Sequence, residues 1–79
     1  MNSASNVTLQ EIFRAVFDLP NDADVTELRQ GVTDRWDSLA HMALVTGVES
    51  EFGITLDTAD QMDMVSYDAI RQILESHGV

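Results

Sequence analysis

Apolar residues recur at a helical period in three separate stretches of this chain, and nowhere do they alternate. Leu9, Ile12, Phe13, Val16 and Phe17 stand at i, i+3, i+4, i+7 and i+8, one stripe of a 3.6-residue repeat. Leu39, Met42, Val45, Val48, Glu49 and Phe52 follow helical spacing with one charged exception, and Tyr67, Ile70, Ile73 and Leu74 form a third stripe. A half-buried strand needs a period of two, and no segment has it. The predicted fold is therefore all-α: a small four-helix bundle with three main helices, one short helix and a long loop between helices one and two.

The helix ends can be read as well. Thr8 with Glu11 fits a capping box, and Val7 can staple against Ile12, so residues 1–6 read as a flexible N-terminal tail. Leu19 precedes Pro20 and is pushed out of the helical region, so the first helix stops near Asp18. From Leu19 to Trp36 the pattern lapses into Asn, Asp and Thr with Gly31, a longer connection than is common. Val25, Leu28 and Val32 are spaced to pin that loop onto a core. Asp37 is a favoured N-cap for the second helix, and Gly53 a natural residue just past its end. Gly47 inside that helix costs roughly 1 kcal/mol relative to Ala. Thr58 to Met62 allows one or two helical turns. Ser66 caps the last helix, which Gly78 ends.

Packing alone has to hold these helices. The 79 residues make one domain, 1–79, and a chain this short buries only about 60% of its unfolded surface. There is no cysteine, hence no disulfide framework and no thiolate zinc site. Four arginines without lysine stand against fourteen acids, a net charge of −10. That balance argues against nucleic acid and against anionic lipid as partners, since both are met by Lys and Arg. The polar residues from Met1 to Asn6 lack the regions of a signal peptide, and no apolar run approaches the roughly 18 residues of a membrane helix. The expectation is a monomeric, cytoplasmic protein. From Trp36 to Ile70 there is no arginine, while Asp37, Glu49, Glu51, Asp57, Asp60, Asp63 and Asp68 all lie there. Such a field aids solubility and also steers encounters with basic patches.

The junction Trp36-Asp37-Ser38-Leu39 is the prominent candidate site. Ser38 falls at the first helical position, where backbone N–H groups lack internal partners and the helix dipole is positive. A phosphate attached to its hydroxyl would sit in a ready anion site. The same residues also read as ordinary helix caps. Ser38 and His41 lie three apart, but no nucleophile elbow accompanies them, which argues against a hydrolase. Asp22, Asp24 and Thr26 resemble the opening of a calcium loop, yet Glu27 stands where that turn needs glycine and Thr33 where it needs glutamate. His41 and His77 are too isolated for a transition-metal site. Met42, Met62 and Met64 read as apolar filler.

Three stretches together carry a family resemblance: Asp37-Ser38-Leu39, the continuing run Ala40-His41-Met42-Ala43-Leu44-Val45, and Glu49-Ser50-Glu51-Phe52-Gly53-Ile54. Nearly the whole chain resembles the acyl carrier proteins, the phosphopantetheine-binding domains. The placement of the serine after a long loop, the phenylalanine beyond it, the length and the acidity add to the likeness.

The resemblance implies a stand-alone carrier that is not itself an enzyme. Ser38 would bear a covalent 4′-phosphopantetheine transferred from coenzyme A by a phosphopantetheinyl transferase, with Asp37 belonging to the same cofactor-binding site. Acyl groups would ride on the terminal thiol as thioesters, so the chain would need no cysteine of its own. Leu39, Met42, Glu49 and Glu51 would meet partner enzymes with basic patches, those that load, condense or transfer acyl groups. Leu44, Val48, Met62 and Met64 would line a cavity for the acyl chain. Ala40, Ala43 and Ser50 stand where the fatty-acid carriers of the family usually place acids, and Gly47 is unusual in that helix. The implied pathway is accordingly fatty-acid, polyketide or another specialised biosynthesis. A purely protein-binding helical domain, in which Ser38 only caps a helix, is the alternative.

Overall fold

Asn2, rather than Thr8, starts the first helix. In the computed structural model, which describes residues 2–79, α1 spans Ser3–Val16, α2 Ser38–Phe52, α3 Thr58–Asp63 and α4 Tyr67–Ser76. The Asn2 side chain accepts the Ser5 N–H at 2.8 Å, and Thr8 Oγ1 donates back to the Ala4 carbonyl at 3.0 Å. Two good caps competed, and the earlier one adds nearly two turns of backbone hydrogen bonds. Residues 3–6, expected as tail, are thus helical, and the Tyr67 hydroxyl donates to Asn6 at 3.4 Å from the far end of the chain. Met1, part of that expected tail, lies outside the described residues.

The other ends follow local chemistry. Asp18 takes a left-handed φ of 53° after α1, and the Leu19 N–H returns to the Arg14 carbonyl at 2.8 Å. This is the six-to-one bond of a Schellman ending, made just before Pro20 stops the helix. Asp37, Asp57 and Ser66 cap α2, α3 and α4, each accepting an N–H three residues on. Gly53 closes α2 at φ 64°, which costs glycine no strain.

Between α1 and α2, residues 17–37 contain neither helix nor strand, yet they are tied down. Arg14 donates twice to the Ala23 carbonyl, at 3.1 and 2.9 Å, and Arg35 donates to the Phe17 carbonyl at 2.8 Å. Two of the four arginines therefore satisfy backbone rather than carboxylates. Asp24 accepts the Thr26 hydroxyl and N–H, which together hold its carboxyl below the ordinary value. An antiparallel bridge between Arg29 and Ser66 ties the loop to the start of α4. Val25 is buried and Leu28 packs partly against the core. Val32, expected to do the same, is 77% exposed. Gly31 turns there with φ 87°, and the Arg29 carbonyl receives the N–H groups of both Val32 and Thr33, so the turn throws Val32 outward.

One core joins these parts. Phe13 is fully buried, with its ring centroid 5.6 Å from Trp36 and 5.5 Å from Tyr67. Helix, loop and last helix thereby meet on one aromatic ring. Leu9, Leu44, Val48, Met64, Ile70 and Leu74 complete the packing. The radius of gyration, 11.4 Å, matches the roughly 12 Å expected of a folded chain of this length. Among the described residues, no helix is long and apolar enough to cross a membrane.

Candidate functional site

Trp36 anchors the junction from below. Its indole is buried against Phe13 and Phe17, so the chain leaves the core and turns immediately into Asp37 and Ser38. Asp37 is extended, with φ −91° and ψ −173°, and its Oδ1 accepts the Ala40 N–H at 2.9 Å. The capping task therefore belongs to Asp37. Ser38 follows as the first residue of α2, exposed, and its hydroxyl has no hydrogen-bond partner among the described residues. The N–H groups of Ser38 and Leu39 have no carbonyl one turn earlier within the helix to take them. An exposed nucleophilic oxygen thus stands at a positive helix end, beside two N–H groups and one carboxylate.

His41 does not face that hydroxyl. Trp36 Nε1 donates to His41 Nδ1 at 3.1 Å, and His41 Nε2 lies 2.7 Å from the Gln61 carbonyl. Both ring nitrogens are engaged elsewhere, which removes the Ser38–His41 pair as a hydrolytic couple. The other histidine is not isolated either: His77 Nε2 sits 3.0 Å from Asp60 Oδ2.

Of the expected partner-facing residues, Glu51 lies apart from the others. Leu39 is 83% and Met42 55% exposed, and Ala43, Thr46 and Ser50 continue that side of α2 in solvent. This strip carries no charge along its length. Glu49 is half-buried and its Oε2 accepts the Leu56 N–H at 2.8 Å, fastening the loop after α2. Glu51 lies on the side toward α1, along a groove with Thr8, Glu11, Ile12 and Gly47. Glu49 thus also serves as a structural acceptor, and Glu51 stands apart from Leu39 and Met42.

The expected cavity residues divide too. Leu44, Val48 and Met64 are fully buried, whereas Met62 is 72% exposed. Met62 instead borders an open cleft of about 360 Å³ with Gln30, His41, Thr58 and Gln61. The helix α3 has no buried residue of its own; Leu56 before it and Met64 after it hold the core side. That arrangement turns Met62 outward. Sequence reasoning missed the Trp36–His41–Gln61 chain. Its one sequence signal is a donor-only indole just before the helix and an imidazole in its first turns.

No family model, curated protein or solved structure matches the chain.

Proposed function

We propose that this protein is a carrier domain modified with 4′-phosphopantetheine on Ser38 and carrying acyl groups as thioesters between enzymes of a biosynthetic pathway. One observation carries the reading. Asp37 performs the capping of α2, so the exposed Ser38 hydroxyl is left without any structural task. A serine serving only as a cap would make the bond that Asp37 makes. The likeness of Asp37-Ser38-Leu39 and its flanks to the acyl carrier proteins supports the same reading.

The residues present suit the group. Ser38 supplies the oxygen that would be phosphorylated, and the Ser38 and Leu39 N–H groups would face the resulting phosphodiester at the positive end of α2. The bound group supplies the thiol that this chain lacks. Among the described residues no side chain is hydrogen-bonded to Ser38, and His41 is occupied, so a partner transferase would have to remove the hydroxyl proton. The uncharged strip Leu39, Met42, Ala43, Thr46 and Ser50 is the surface offered to partners. Its apolar start is consistent with a dedicated carrier for a specialised pathway.

Intact mass after incubation with coenzyme A and a broad-range phosphopantetheinyl transferase tests the reading. The wild type should gain one phosphopantetheine, and Ser38→Ala should gain none. An unmodified wild type, or equal modification of Ser38→Ala, would return the protein to the alternative of a helical interaction domain.

A further inference from the structure

The Trp36–His41–Gln61 chain determines where a proton sits. An indole N–H can only donate, so His41 Nδ1 must accept from it, at 3.1 Å. The ring proton is therefore on Nε2, which donates to the Gln61 carbonyl at 2.7 Å. A second proton on this ring would stand on Nδ1, directed at another N–H. The arrangement accepts only neutral imidazole in its Nε2–H form.

This ring joins three parts of the molecule. Through Trp36 it holds the end of the loop. The Trp36–His41 hydrogen bond also spans the turn that contains Ser38, which the His41 backbone N–H closes on the Asp37 carbonyl at 2.9 Å. Through Gln61 it occupies a carbonyl at the end of α3, where a short helix leaves acceptors unsatisfied. The Val65 N–H, four residues on, turns instead to the Asp63 carbonyl at 2.9 Å. Since α3 buries none of its residues, it is held by its flanking anchors Leu56 and Met64 and by hydrogen bonds such as this one.

The charged groups around the ring are otherwise occupied. On α2, Asp37 caps Ala40. On the α3 side, Asp57 caps α3, and Asp60 meets His77 at 3.0 Å. The cleft residues beside it, Gln30, Thr58, Gln61 and Met62, carry no charge. The His77–Asp60 contact also ends on α3.

We propose that neutral His41 is a positioning residue for the Ser38 turn and a latch on α3, and that its protonation releases both. The consequence for Ser38 rests on the carrier reading above; the latch itself does not. Nitrogen NMR of the imidazoles in the full chain reads it directly. At neutral pH the His41 ring should show protonated Nε2 and bare Nδ1, and the opposite tautomer would overturn the proposal. Lowering the pH across the histidine range, from about 8 to 5, should shift the Trp36 indole N–H and the α3 amides with His41. That shift should persist in His77→Gln and disappear in His41→Gln. A Trp36 and α3 transition that survives His41→Gln, or an unmoved Trp36 while His41 titrates, would overturn it. Where the carrier reading holds, the rate of phosphopantetheine transfer to wild type relative to His41→Gln should fall as the pH falls. A pH-independent ratio would remove the role at Ser38. No transfer to any variant would instead defeat the carrier reading, leaving the tautomer and the Trp36 titration to judge the latch.

Discussion

Asp37 and Ser38 are neighbours with separable tasks. Asp37 accepts the Ala40 N–H and so starts α2, while the Ser38 hydroxyl takes no part in the helix. Their alanine variants should therefore differ in kind. Asp37→Ala should lose about 0.5–2 kcal/mol of stability, the usual worth of a polar N-cap. Ser38→Ala should unfold at nearly the wild-type urea concentration, because it removes an exposed group without a partner. Equal losses in urea unfolding would mean that the serine shares the cap. Glu49 illustrates the opposite case. Its carboxylate has a structural task, fastening the Leu56 N–H.

One small residue lies at the contact between α1 and α2. An added Cβ at Gly47 would stand 3.0 Å from Ile12 Cγ2, closer than side chains ordinarily pack. Glycine inside a helix costs about 1 kcal/mol against alanine. Overpacking costs about 1–3 kcal/mol, and Ile12 is buried with the methyl concerned fixed to its branched Cβ. Gly47→Ala should therefore bring no gain in urea midpoint despite its better helix propensity, and Gly47→Leu should lower the midpoint clearly. A midpoint raised by Gly47→Ala would show that Ile12 yields. The element α3 lies at the other extreme. It has caps and flanking anchors but no core residue, so side-chain hydrogen bonds from His41 and His77 matter more for it than for the long helices.

Over the whole molecule, charge and apolar exposure are distributed unevenly. The net charge of −10 predicts partner binding that weakens with salt, because exposed charges are screened over about 8 Å at physiological ionic strength. The α2 strip predicts otherwise, since Leu39, Met42, Ala43, Thr46 and Ser50 carry no charge and Glu49 is half-buried. The two effects act at different stages. Long-range attraction should speed encounter, and the strip should hold the complex. Association rates with a partner enzyme should therefore fall with salt while dissociation rates stay nearly constant. Leu39→Ala or Met42→Ala should speed dissociation without affecting stability. Dissociation that depends strongly on salt, and is unchanged by Leu39→Ala, would shift the contact to the acids.

The sequence alone determined the elements and, the start of α1 apart, their local ends. Helical period, Asp37, Gly53, Pro20 and Ser66 act over a few residues, so their consequences are local and can be read without a fold. It also singled out Ser38, because a helix start is a local property. Competition between Asn2 and Thr8 was less legible, since both are good caps and only the gain of nearly two further turns, joined to Tyr67 through Asn6, separates them. The rest depended on contacts between distant parts. Which methionine is buried, which glutamate is exposed, where Val32 points and what His41 binds are decided by what packs against each residue. Burial of Trp36 on Phe13 illustrates the reason. Only when the loop lies on α1 does the indole N–H reach His41, and only with α3 folded alongside does the Gln61 carbonyl meet the other side of the ring.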